Sequence, residues 1–197
     1  MAQQSDEQIA ILARERDPEY FGHLVLRYQD SLLRFVRSIV WDEESARDVT
    51  QVTFEKAFVA LHAFDAQKSF KPWLYGIARN EAFSHLRRTK HHREIHFSRL
   101  ATSDDESAPL DVPDTNPPAD LELARDETAQ KLRRALAVID ARYRAVLTLF
   151  YLEDMAYEEI ARVLRLPLNT VRTHLRRGKT ALRNSFCAQD VTTRADD

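Results

Sequence analysis

Between Phe21 and Ile39 the apolar residues Phe21, Leu24, Val25, Tyr28, Leu32, Phe35, Val36 and Ile39 return at spacings of three and four. On a backbone turning about 100° per residue those positions form one continuous stripe, which a strand, whose side chains alternate every second residue, cannot produce. The rest of the chain has the same character. Only Gly22, Gly76 and Gly178 are glycines, and the long Ala/Leu/Arg/Glu-rich segments lack the Val/Thr/Tyr alternation of strands. The sequence therefore predicts an all-α protein. With 44% apolar residues over 197 positions it has enough apolar surface for one large core or two small ones.

Start signals divide the pattern into helices. Asp17-Pro18-Glu19 combines an N-cap acceptor, a proline suited to the first helical position and an acid at the positive helix end. Asp42 before Glu43 and Glu44 opens a second helix through Val49, Val52, Phe58 and Leu61 to Phe64. A third begins between Ser69 and Pro72 and runs through Trp73, Ile77 and Phe83 towards Arg88, and a short helix over Ile9 to Arg14 precedes all three. The stretch SRLATSDDESAPLDVPDTNPP, with its Ser, Asp and Pro, then breaks the periodicity and reads as a flexible linker. Periodicity returns with Leu132, Leu136 and Ile139, continues after a cap at Asp140 through Val146, Leu147 and Phe150, and closes with helices over Tyr157 to Leu164 and Leu168 to Phe186. Two small helical domains are expected, residues 1–97 and 128–188, joined by an acidic linker over 98–127 and followed by a disordered tail over 189–197.

Charge is distributed unevenly over these parts. Residues 1–99 carry 15 basic and 14 acidic side chains, residues 100–127 carry 1 and 9, and residues 128–197 carry 13 and 8. The net charge of -2 thus hides an acidic connector between two flanks with local basic patches at 71–99 and 165–183. Cys187 is the single cysteine, which excludes an intramolecular disulfide and suits a reducing cytosol. No apolar run approaches a membrane span, and the polar start MAQQSDEQ does not resemble a signal peptide. A cytoplasmic protein without membrane insertion is expected.

The sequence offers little to an enzyme. It has no nucleophile with a paired base, no phosphate-cradling glycine loop and no paired-carboxylate arrangement. His85, His91, His92 and His96 lie close together, and His92 and His96 have the spacing of a helical metal pair, yet no cysteine or carboxylate pattern completes a site. No metal, no cofactor and no catalytic residue is expected.

The stretch PLNTVRTHLRRGKTALR, residues 167–183, holds five Lys or Arg and no acid. Only Arg165-Leu166-Pro167 separates it from the helix before it, the layout of a helix-turn-helix. Leu168, Val171, Leu175 and Leu182 fall on one side of the second helix, and the opposite arc collects Asn169, Arg172, Thr173, Arg176, Arg177 and Thr180. Such an arc offers donors for base edges and cations for phosphates, where an acid would be repelled by a nucleic-acid backbone.

The segment AYEEIARVLRLPLNTVRTHLRRGKTALR resembles region 4.2 of sigma factors of the extracytoplasmic-function group, within the sigma-70 family of RNA polymerase sigma factors. ESARDVTQVTFEKAF and then FKPWLYGIARNEAFSHLRR are similar to sigma regions 2.2 and 2.3 to 2.4, in the order and at the spacing of the short two-domain members. The chain departs from the usual pattern at Ala156, Arg165 and Asn169, where the family has a serine cap and two glycines. A left-handed backbone at Arg165 would cost roughly 1 kcal/mol.

The resemblance implies an alternative sigma factor that binds core RNA polymerase and selects promoters. It implies that Asn169, Thr170, Arg172, Thr173, His174, Arg176 and Arg177 contact the -35 duplex. The loop from Phe64 through Lys68 to Phe70 would trap a flipped base of the -10 element, with Arg79, Asn80, Ser84, Arg87 and Arg88 on the rest of that strand. Asp48 and Gln51 would dock on the β′ clamp coiled coil, with Phe54 shared between contact and core, and region 4 would meet the β flap. Promoter DNA, core polymerase and an anti-sigma factor are the implied partners, and the factor would be monomeric in the holoenzyme. The acidic linker would thread the polymerase channel meant for RNA, its carboxylates standing in for phosphates. Two other readings remain open from the residues: an autonomous helix-turn-helix regulator, and a sigma-like adaptor that sequesters polymerase or an anti-sigma factor.

Overall fold

The structure is a computed structural model that describes residues 4–97 and 127–193. Every regular element among those residues is helical. In chain order they are α1 (Asp6–Glu15), α2 (Phe21–Val40), α3 (Glu43–Val59), α4 (Phe70–Phe97), α5 (Glu127–Ala137), α6 (Ala141–Tyr151), α7 (Tyr157–Leu164) and α8 (Leu168–Thr193), with 3-10 turns at Pro18–Tyr20 and Ala60–Ala63.

The start signals act as their chemistry dictates. The Asp42 carboxylate accepts from Ser45 N–H at 2.8 Å and opens α3; Asp140 accepts from Arg142 N–H at 2.7 Å and opens α6. Asp17 also accepts a backbone bond, from Glu19 N–H at 2.9 Å, but the proline after it starts a 3-10 turn, and α2 begins only at Phe21. The expected stripe on α2 is its buried face, with Leu24, Leu32, Phe35 and Val36 fully enclosed. At the start of α4, Glu7 of α1 accepts from Phe70 N–H at 3.0 Å.

Three expected boundaries move. Helix α3 ends at Val59 and the chain reaches Phe64 through a 3-10 turn, while α4 continues past Arg88 to Phe97. Helix α8 continues through Thr193, so residues 189–193 extend a helix where a disordered tail was expected. The side chains of His91, His92 and His96 and the linker residues 98–126 lie outside the described residues.

One finding was not expected: a single hydrophobic cluster runs through both helical domains. Phe35, Val36, Ile39, Leu74, Tyr75 and Ala78 of the first belong to the same core as Val146, Leu149, Ile160, Val163 and Leu164 of the second. Helix α6 packs on α2 and α7 packs on α4.

Polar groups reinforce this junction. Arg144, 2% exposed, reaches from α6 to the end of α2, donating from Nε to Ser38 O at 2.7 Å and from Nη2 to Ile39 O at 3.5 Å. Its Nη1 donates to Leu136 O at 3.3 Å, and also to Ile139 O, at the end of α5. Two helix C-termini, each with orphan carbonyls and negative dipole ends, thus converge on one cation. The guanidinium lies 4.5 Å over the Trp41 ring, and burial lowers its pKa to about 10, which leaves it charged at neutral pH.

Candidate nucleic-acid and protein interface

Helix α7 and helix α8 form the expected helix-turn-helix. Glu159 accepts from Ala156 N–H at 3.0 Å, half of a capping box whose other half is missing because Ala156 has no side-chain oxygen. The turn then reverses through Arg165, at φ 54° and ψ 47°, the left-handed conformation expected there. Leu166 N–H bonds back to Ala161 O at 3.0 Å and the Leu166 side chain packs on the core, which closes the turn without a glycine. On α8, Val171 and Leu175 are buried, and Gly178 faces α6 so closely that an added Cβ would sit 3.1 Å from Leu147 Cδ1. The apolar side of α8 is therefore pinned, and its opposite side is fixed in direction.

That opposite side is open. Asn169, Arg172, Arg176, Arg177 and Thr180 are exposed, and Thr170 and Thr173 are half-buried. Arg172 donates from Nη1 to Asn169 Oδ1 at 3.5 Å; among the described residues no carboxylate pairs with Arg172, Arg176 or Arg177. Thr173 and Thr180 donate to the carbonyls of Asn169 and Arg176, which leaves those hydroxyl oxygens able to accept but not to donate outward. A groove of about 540 Å³ between α7 and α8 is lined by Tyr157, Arg172, Leu175, Arg176, Lys179, Thr180 and Arg183. Four cations on one concave surface suit a phosphate backbone.

His174 does not share that surface. It is half-buried and meets the Tyr143 ring edge-on at 5.1 Å, with Nδ1 enclosed and without a hydrogen-bond partner. Burial, then the charges of Arg142 and Arg177, lower its pKa. His174 was expected at the -35 duplex; here its ring packs edge-on against Tyr143 of α6.

The other patch is more occupied. Phe64 and Phe70 are buried and meet edge-on at 5.5 Å, and each also packs tilted against Trp73. Both rings, expected at a flipped base, are enclosed in the core in this conformation. Lys68 is exposed and pairs with Asp65 at 3.3 Å. Arg79 is half-buried, lies 5.4 Å over Phe83 and donates to Asn80 Oδ1 at 2.9 Å, while its Nε is enclosed without a partner. Burial, then the neighbouring charges of Arg165 and Arg87, lower its pKa. Ser84 is half-buried; Arg87 and Arg88 project freely.

On α3, Asp48 and Gln51 are exposed and Phe54 is 9% exposed, so its ring belongs mostly to the core. Between α2 and α3 a groove of about 380 Å³ is lined by Val25, Gln29, Asp30, Leu33, Arg47, Thr50, Gln51, Phe54 and Glu55. Sequence reasoning named only Gln51 and Phe54 of these. Val25 lies at the edge of the α2 stripe and Leu33 beside it, and both are only half-buried, so an apolar edge there was the available signal for a second, surface-facing patch.

An acid-free cationic arc on the second helix of a helix-turn-helix has the chemistry of a nucleic-acid-reading protein. The sigma-70 region 2 family matches residues 24–92, and the sigma-70 region 4 family matches residues 129–182. The RNA polymerase sigma-H factor of Pseudomonas aeruginosa is 32% identical, over 92% of this chain and 94% of its own length. An extracytoplasmic-function sigma factor of Bacillus subtilis, SigW, is 26% identical over 88% of this chain and 92% of its own. The solved structure of CnrH in complex with the cytosolic domain of CnrY matches with a TM-score of 0.64 and 25% identity, covering 94% of this chain and 99% of that one. The sigma factor RpoE of Bartonella quintana, solved with the anti-sigma factor NepR, shares the fold with a TM-score of 0.63 at 23% identity, over 85% of this chain and 96% of that one. The chain belongs to the extracytoplasmic-function group of the sigma-70 family and is an alternative sigma factor. None of its described helices is long and apolar enough to cross a membrane.

Proposed function

We propose that this sigma factor works in the cytoplasm, binds core RNA polymerase through α3 and the adjoining α2 edge, and directs it to promoters with two elements. Asp48, Gln51 and the exposed part of Phe54 make the polymerase contact at the β′ clamp, and the C-terminal domain meets the β flap. The α8 arc of Asn169, Thr170, Arg172, Thr173, Arg176 and Arg177 reads the -35 duplex. Lys68, Arg79, Asn80, Ser84, Arg87 and Arg88 hold the melted -10 strand. An anti-sigma factor is the natural counterweight to such a protein. The chain itself performs no catalysis; the polymerase makes every phosphodiester bond.

The observation that carries this reading is the acid-free, exposed and unpaired cationic arc of α8 on the second helix of a helix-turn-helix. An α-helix presenting Asn and Arg fits the major groove, where Arg pairs with guanine and Asn with adenine. The test is purified chain mixed with core polymerase, assayed for co-elution and then for run-off transcription from a library of random promoters. Co-elution with selection of a two-element promoter is the expected result. No co-elution, with tight duplex binding by the free chain, would instead identify an autonomous regulator.

A further inference from the structure

We propose that α1 sets the shape of the loop between Phe64 and Phe70, with Glu7 and Arg14 as positioning residues that fix which base of the -10 element the loop accepts. The inference rests on the -10 role proposed above, which places Lys68 of this loop on the melted strand. Glu7 and Arg14 stand outside the segment that carries the family likeness: the sigma-70 region 2 match begins at residue 24, and α1 lies wholly before it.

Both ends of the loop are tied to this one helix. At the first end Arg14 donates from Nη1 to Phe64 O at 3.2 Å, and at the second the Glu7 carboxylate accepts from Phe70 N–H at 3.0 Å. Seven residues apart, Glu7 and Arg14 share one side of α1 two turns from one another, about 10 Å along the axis. A single rigid helix thus spans the mouth of the loop. Helix α1 is itself fixed, because Ile9, Ala10 and Ala13 are buried in the core and the Asp6 carboxylate accepts from Tyr28 and Arg27 of α2. Burial alone would raise the pKa of Glu7, yet the backbone bond from Phe70, with smaller help from its own backbone and Ser5, holds that carboxyl below its ordinary value. The anion suits its place at the positive end of α4.

Between the tied ends the chain curls on itself. Asp65 Oδ1 accepts from Gln67 N–H at 3.1 Å, and Asp65 O accepts from Lys68 N–H at 2.9 Å. With Phe64 and Phe70 enclosed beneath, the loop is left to meet a strand through Asp65, Gln67, Lys68 and Ser69, all exposed. A loop presents such groups in one geometry only when the bonds behind it are fixed, and two of those bonds come from α1. A clasp that served stability alone would leave the choice between bases untouched. A positioning clasp governs that choice, since specificity is a difference between affinities, which a displaced tip levels.

The experiment uses holoenzyme assembled from core polymerase and the full chain. Run-off transcription is read from two promoter libraries, one randomised at the -10 element and one at the -35 element. Glu7→Met removes the acceptor for Phe70 N–H, Glu7→Gln keeps one, and Arg14→Met removes the donor to Phe64 O. Losing a charge near DNA weakens all sequences alike, so the ratio between preferred and next-best base isolates positioning. In both methionine variants that ratio is expected to fall at least about fivefold at the -10 element, with the -35 preference and co-elution with core polymerase unchanged. Glu7→Gln is expected to keep the wild-type ratio. A wild-type -10 preference that survives in both methionine variants would overturn the inference alone, and a wild type without any -10 preference would overturn the proposed function together with it. Loss of co-elution in step with loss of discrimination would assign the clasp to domain stability and overturn the positioning role. Circular dichroism checks folding; should Glu7→Met unfold, Arg14→Met, at an exposed residue, carries the same comparison.

Discussion

The two basic segments of this chain have similar charge and opposite availability. Along α4, Lys71 is engaged by Glu153, Arg79 is half-buried against Phe83, and Glu81 is paired with Lys56 of α3 at 2.7 Å. Along α8, Arg172, Arg176 and Arg177 are exposed and meet no carboxylate among the described residues. Counting Lys and Arg therefore locates both patches but misjudges one. A cation held by a carboxylate must lose that partner before it can neutralise a phosphate, whereas a free cation gives up only counterions. In this conformation the α8 cations are open, while on α4 Lys71 and Arg79 are engaged and only Arg87 and Arg88 stand free.

Replacing one committed cation should have the largest effect. Arg144→Met leaves the carbonyls of Ser38, Ile139 and Leu136 enclosed without a donor, and the expected loss is about 3 kcal/mol of unfolding free energy, read by urea denaturation. A loss below about 1 kcal/mol would mean that water replaces the guanidinium, and the distinction between committed and free cations would weaken. Arg176→Ala tests the free class. Holoenzyme affinity for its promoter should fall by the equivalent of about 1–3 kcal/mol with binding to core polymerase and thermal stability unchanged. Asp48→Ala should do the reverse, weakening co-elution with core polymerase and sparing duplex recognition once holoenzyme is formed.

Much of the architecture was legible in the sequence because it rests on local chemistry. Asp42 and Asp140 cap where their side chains can reach the next turn, and the stripe from Leu24 to Ile39 is the α2 core face. The α8 arc was legible for the same reason, since facing positions on a helix follow from spacing alone. What spacing cannot give is which surface another domain covers. Phe64 and Phe70 were assigned to a flipped base by resemblance, and in the structure their rings meet one another and Trp73. His174 was assigned to the duplex by resemblance and not by its place on the arc, and in the structure its ring meets Tyr143. Glu153 had no local signal at all, since its partners come from positions 34, 71 and 75.

The turn of the helix-turn-helix allows a finer comparison with the first domain. Arg165 adopts the left-handed region without a glycine and stands near Arg79. Arg165→Gly should remove the backbone cost and the like-charge contact together, raising stability by about 1 kcal/mol. Equal stability would show that the closing bond from Leu166 to Ala161 already holds the turn at no net cost.

The smallest effect concerns how the two domains begin a helix. In the first, Asp42 caps α3; in the second, Ala156 leaves α7 with only the Glu159 half of its box. Asp42→Ala should cost about 1 kcal/mol, and Ala156→Ser should gain somewhat less, about 0.5 kcal/mol, because peptide-like exposed caps lie at the low end of the range. The two changes also separate by pH. The hydrogen bond between the Asp42 side chain and Ser45, with the Ser45 backbone bond, holds the Asp42 carboxyl below its ordinary value against a smaller opposing effect of burial. A depressed carboxylate contributes stability that is present above its unfolded pKa, about 3.9, and is lost as pH falls through the folded value. The deficit of Asp42→Ala relative to wild type should therefore be full at pH 7 and shrink below about pH 4, as wild type itself protonates. The gain from Ala156→Ser should stay constant across that window, since a hydroxyl does not titrate there. A deficit at Asp42 that persists unchanged at pH 2 would show that the carboxylate acts through packing and not through its charge-assisted bond to Ser45.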